Sequence, residues 1–149
     1  MNSINDILSQ PALKTVVRGA ATLVDGTTVF TVTNGPILIK QIIAVCKTAN
    51  NATASTLQFS ADGTDGSAAT ITGASASLAN AAAGSIVATV PGTLATAPAL
   101  YANGVGIAGT VGIIVPAGII TTTVGVGSTT GTWQLIIRYE SLGGDVEVA

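Results

Sequence analysis

The chain has 149 residues, with five basic and seven acidic side chains, no histidine, one cysteine and 18 glycines, which is the length of one domain. Only 8% of residues are charged and 3% are aromatic, while 48% are hydrophobic; an ordinary soluble domain has roughly 25% charged, so Thr, Ser, Asn, Gly and Ala, or a partner, must cover most of the surface. A net charge of −2 with five scattered cations argues against a nucleic-acid binder, and the lack of histidine removes the Ser-His-Asp and Cys-His arrangements and the commonest transition-metal ligand.

Residues 1–13 stand apart as an amino-terminal arm. Ser3 can cap a helical turn with Asp6 three residues on, Ile4, Ile7 and Leu8 share one face, and Pro11 stops it. The arm has no basic n-region, long apolar h-region or cleavage site, so no secretory signal is expected. Its three apolar residues cannot be buried by a terminal segment alone, which makes them candidate contacts with a neighbour.

From residue 14 to 149 the sequence reads as one β domain. Short Val-, Ile- and Thr-rich runs are separated by Asp25-Gly26, Asn34-Gly35-Pro36, Asp62-Gly63, Asp65-Gly66, Pro91-Gly92 and Asn103-Gly104, all suited to tight turns. Such spacing predicts an antiparallel sandwich. Phe30 and Val32 alternate with Val29, Thr31 and Thr33 in a strand that the Asn34-Gly35-Pro36 turn separates from the next, and a hairpin-like pair is expected. Residues 37–47 are almost continuously apolar apart from Lys40 and Gln41, as in a central strand covered on both faces. Cys46 within it has no disulfide partner in the chain and reads as a small buried hydrophobe.

Several local patterns invite a chemical reading and lack its context. Asn51-Ala52-Thr53 matches a glycosylation acceptor, which matters only in a secretory pathway. Asp62 and Asp65 offer two oxygen ligands on a tight loop, short of the set that calcium needs, and a pair of β-turns is expected. Gly104, Gly106 and Gly109 have G-x-G-x-x-G spacing without the strand, helix and later acidic residue of a dinucleotide site. No catalytic, cofactor-binding or metal-binding residue is therefore assigned.

Residues 66–137 contain no charged side chain. Thr110, Pro116 and glycines interrupt the apolar window 108–120, and no flanking Lys or Arg orients it, so no membrane span is expected. The small residues from 68 to 83 suit Thr/Ser/Ala-rich strands and loops packed in an assembly, with 73–85 a low-complexity loop as the alternative. Residues 113–126 are the candidate subunit-packing stretch, with Ile113, Ile114, Val115, Pro116, Ile119 and Ile120 as its contact residues. The Pro116-Ala117-Gly118 turn within it suits either a symmetry axis or an internal strand turn.

In residues 133–140, Trp133, Leu135, Ile137 and Tyr139 fall on one face and Gln134, Arg138 and Glu140 on the other, as in a half-buried antiparallel strand. That pattern favours core packing of Trp133 and Tyr139 over a sugar-stacking platform. Asp145 and Glu147 near the carboxyl end read as a solvated tail, not a glycosidase pair.

Residues 29–45 (VFTVTNGPILIKQIIAV), 113–120 (IIVPAGII), 130–142 (TGTWQLIIRYESL) and 143–146 (GGDV) resemble small virion proteins of tailed bacteriophages. The resemblance covers the first strand pair and the carboxyl-terminal third. It implies a jelly-roll-like β-sandwich, often a homotrimer, that decorates or cements the outside of a capsid with the major capsid protein as partner. It brings no catalytic residues. A fibre, neck or receptor- or glycan-binding β module is the alternative, and an enzyme would have to work through Asp62, Asp65, Asp145 or Glu147. Close symmetric packing is physically consistent with so few charges, because buried charge is costly.

Overall fold

The computed structural model describes residues 13–64, 66, 68–89, 97–101 and 112–149. The Val-, Ile- and Thr-rich runs form β1 (Leu13–Val24), β2 (Thr28–Thr33), β3 (Ile37–Cys46), β4 (Leu57–Gly63), β5 (Ala69–Thr70), β6 (Ile86–Ala88), β7 (Ala99–Tyr101), β8 (Ile113–Val115), β9 (Gly118–Val124), β10 (Ser128–Ser141) and β11 (Glu147–Val148). They pair antiparallel into two sheets, one ordered β1-β10-β3-β6-β7 with β8 also on β3, the other β11-β2-β9-β4-β5. The inward side chains of both meet in one apolar core that includes Phe30, Ile37, Leu57, Phe59, Ile120 and Trp133. The fold is an all-β antiparallel sandwich. The arm residues Ile4, Ile7 and Leu8 and the glycines at 104, 106 and 109 lie outside the described residues.

Alternation places β10 as the sequence requires: Trp133, Leu135 and Ile137 are fully buried and Tyr139 nearly so, while Gln134, Arg138 and Glu140 face outward and are half-buried. This strand lies between β1 and β3. β3 is central, flanked by β10 on one side and by β6 and β8 on the other. Its register slips at Lys40, since Arg138 pairs with Gln41 and Tyr139 with Ile39. The extra residue is a β-bulge, and it explains the Lys40-Gln41 interruption in an otherwise apolar run. One face of β3 is fully buried; on the other Leu38, Ile43 and Val45 are half-buried, and Gln41, opposite Arg138, is buried.

The expected β2–β3 hairpin does not form. β2 pairs with β9 and β11, and β3 belongs to the opposite sheet. Asn34 and Gly35 both take positive φ, 63° and 131°, and the Asn34 side-chain amide donates to the Asp145 carbonyl (3.2 Å). The turn therefore carries the chain across the core, so that Val32 and Ile37 both point inward from facing sheets.

Residues 71–78 form no strand, yet they run beside β4 and complete its edge. Ile71 and Thr72 N–H donate to the Phe59 carbonyl, and Ser75 N–H to that of Leu57. In return Phe59 N–H donates to the Thr72 hydroxyl (3.0 Å) and Leu57 N–H to the Ser75 hydroxyl (2.9 Å). Leu78 is fully buried. The Ser/Thr/Ala-rich stretch is thus a packed loop whose hydroxyls replace ladder partners and protect a strand edge.

Candidate functional site

The two sheets differ on the sides they turn away from the core. Directly opposed residues of paired strands share a face, so the register defines each surface. On the β11-β2-β9-β4-β5 sheet, Thr31 pairs with Ile119 and Ile119 with Asp62, Ser60 with Thr121 and Thr70, and Gln58 with Thr123. This is the hydroxyl-rich face expected against water. On the other sheet, Val17 pairs with Ile136 and Ile136 with Ile43, Val45 with Ile86, and Leu38 with Ile114. Val17 is 53% and Ile114 68% exposed.

An antiparallel sheet with one wet face normally alternates apolar-in and polar-out. The β1-β10-β3-β6 surface keeps that rule along β10 apart from Ile136, and departs from it at Val17, Ile43, Val45 and Ile86. Its polar groups include Thr15, Thr132, Gln134, Arg138, Glu140, Lys40 and Gln41, and Lys40 Nζ lies 3.6 Å from Glu140 Oε1. This outward face, in which Val and Ile stand beside the polar side chains of β10, is the candidate site. β1 makes its margin, and the inward side of that strand carries Lys14 and Arg18, paired with Tyr139 and Leu135. Inward-pointing charges on a long edge strand oppose edge-to-edge pairing.

The sequence-derived contact residues do not converge. Ile114 lies on the candidate face, opposite Leu38, and Ile119 lies on the hydroxyl-rich face. Val115 and Ile120 are 3% and 0% exposed and belong to this chain's own core, and Ile113 packs against it. Pro116 is exposed at the corner where the chain passes from β8 in one sheet to β9 in the other. The Pro116-Ala117-Gly118 turn is therefore an inter-sheet corner, fastened by Thr64, whose N–H and hydroxyl both donate to the Ala117 carbonyl (2.9 and 3.0 Å). Beside it is an apolar cleft of about 170 Å³ lined by Ala61, Ala69, Ile71, Ile113, Ile114 and Pro116 among others, with no titratable side chain in its described lining.

The chemical candidates stay apart. Asp62 is exposed at the end of β4, Glu147 is exposed on β11, Asp145 is exposed in the turn before it, and Asp65 lies outside the described residues. Among the described residues no three His, Cys, Asp or Glu side chains group as metal ligands, and no helix is long and apolar enough to cross a membrane. Asn51 closes a local turn by accepting the Thr53 N–H (2.8 Å). Cys46 is buried, its Sγ donating to the Thr48 carbonyl (3.2 Å). Burial pushes its thiol above the ordinary value, partly offset by a backbone hydrogen bond from Asn50, so little reactive thiolate forms.

Trp133 and Tyr139 are 0% and 3% exposed and present no stacking surface. Acrylamide is expected to quench Trp133 emission weakly in the native protein and several-fold more strongly after unfolding; equal quenching in both states would refute the buried placement. No protein-family model, curated protein or solved structure matches the chain.

Proposed function

We propose that this chain is a structural virion protein that binds the outside of a bacteriophage capsid and stabilises it as a decoration or cement protein. The observation that carries the reading is the contrast between the two outward faces: one is rich in hydroxyls, while the other sets Val17, Ile43, Val45, Ile86 and Ile136 among the polar residues of β10. The strand pairs β1·β10, β2·β9, β3·β8 and β4·β5 nest within one another. Such a long hairpin wrapped across two sheets supports a jelly roll, an architecture common in capsid proteins, although fold alone does not fix function. The burial of Trp133 and Tyr139 weighs against a glycan-binding module.

A protein that binds the assembled shell and not its dissociated subunits raises shell stability by mass action, by about 2.7 kcal/mol at 100 times its Kd. Adding the purified chain to matching undecorated capsids is expected to raise their resistance to heat and low salt, saturably. Unchanged resistance at saturating protein would overturn the cement role. In the same reading the chain sits on the capsid surface as a homotrimer, with the major capsid protein as its partner.

A further inference from the structure

Arg138 lies on the outward face of β10, between Thr15 of β1 and Gln41 of β3. It is half-buried. Its neighbour Lys40 has Glu140 as counter-ion, whereas Arg138 makes no hydrogen bond or ion pair with the described residues. A guanidinium presents five N–H donors in a planar fork that matches a carboxylate bidentately. Half-buried beside the Val17, Ile136 and Ile43 row, it has lost part of its hydration and gained no acceptor among the described residues. A partner that covers this face must supply one or bury an unpaired charge.

The sign of the surroundings selects the partner. On or beside this outward face stand three of the five basic side chains, Lys40, Lys47 and Arg138, against the single carboxylate of Glu140 among the described residues, while Lys14 and Arg18 lie on the inward side of β1. The opposite outward face holds Asp62 and Glu147. A second copy docked face to face would set Arg138 and Lys47 against a surface of the same positive excess, which is repulsive.

We propose that this face docks on an apolar protein surface of the capsid shell and that an Asp or Glu carboxylate of the shell takes the Arg138 fork. The inference rests on the virion reading above and assigns its contact face, leaving the hydroxyl-rich sheet toward solvent. Arginines in such settings are typical anchors of binding energy.

The test measures binding to undecorated shells of the matching phage by co-sedimentation at two salt concentrations, for wild type, Arg138→Leu, Arg138→Lys and Thr123→Lys. Thr123 is exposed on the opposite face. Arg138→Leu is expected to weaken binding about 30-fold or more and to flatten its salt dependence. Arg138→Lys falls between, because a point charge cannot reproduce the fork, and Thr123→Lys stays within about twofold of wild type. Native Trp133 emission in each variant reports an intact fold. Arg138→Leu binding as tightly as wild type, or Thr123→Lys losing as much as Arg138→Leu, overturns this inference and leaves the virion reading standing. Failure of the wild type to bind overturns both.

Discussion

Replacing Asn50 with alanine is expected to cost about 3 to 5 kcal/mol, lowering Tm by about 10 °C or more. Asn50 is 6% exposed, and its side chain joins three separate parts of the fold. Its Oδ1 accepts the Gly131 N–H (2.7 Å) and the Trp133 indole N–H (3.2 Å), while its Nδ2 donates to the Leu78 carbonyl (3.0 Å). Alanine leaves two buried donors, the Gly131 N–H and the Trp133 indole N–H, without partners at about 1 to 3 kcal/mol each, and removes one of two donors from the Leu78 carbonyl, which keeps the Ala81 N–H. The substitution also frees the loop carrying Leu78, whose burial closes the core over β4. Thermal and urea denaturation read the loss, and Trp133 emission should change with it. Asn50→Asp separates the polar contributions. It keeps the acceptor but turns a second oxygen toward the Leu78 carbonyl, which raises the folded pKa of the new carboxyl. Protonation then restores a donor, so this variant should regain stability as pH falls through that raised pKa toward the ordinary carboxylate range. An Asn50→Ala protein within 1 kcal/mol of wild type would show, by the same estimate, that the network contributes little.

Nothing in the sequence distinguishes Asn50 from Asn51 beside it, because the partners of Asn50 are 28 to 83 residues away. The same limit divides the whole fold. Alternation along a strand is a local property, so the buried face of β10 and the apolar character of β3 are legible from residue types alone. Which sheet a strand joins depends on how a turn aims the chain. The Asn34-Gly35-Pro36 turn has hairpin composition, but its backbone crosses the core. The hydroxyls of residues 72 and 75 read as low complexity until β4 is seen to need edge partners.

The candidate face was legible in one respect. A nearly unbroken apolar run over residues 37–47 demands cover on both sides of the strand, and Leu38, Ile43 and Val45 on its outward side are only half-buried. The shortage of charge makes the same demand on the whole surface. The contact residues chosen from 113–120 divide among the core, the corner and both outward faces, because a run of isoleucines does not reveal where its strands change sheet. Arg138 as an anchor needs the registers of β1, β10 and β3 together, information carried by the pairing of distant segments.

Gly118→Ala is expected to be more disruptive than Asn50→Ala, costing upward of about 4 kcal/mol or abolishing soluble expression. Gly118 opens β9 at the corner after Pro116 and pairs with Gly63 of β4 on one side and Val32 of β2 on the other. Its φ is +151°, a conformation that residues with a Cβ rarely adopt, and a methyl there would overlap the Asp62 carbonyl oxygen and lie 2.7 Å from the Gly63 Cα. These are backbone atoms of a neighbouring strand, so no side-chain rotation relieves the clash. Moving β4 would strain its register with β9 from Leu57 to Gly63, and moving β9 would break its pairing with β2. Conformational strain and overpacking therefore add, each at about 1 to 3 kcal/mol. Gly127→Ala is the control. Gly127 also has positive φ, +86°, but a Cβ there meets nothing within 4 Å, leaving only the backbone penalty of about 1 to 2 kcal/mol. Denaturation midpoints and soluble yields of the two variants separate the effects. Equal losses would mean that the close β4–β9 approach at Gly118 relaxes without cost, whereas a much larger loss at Gly118 identifies it as the point where the sheet corner admits no side chain.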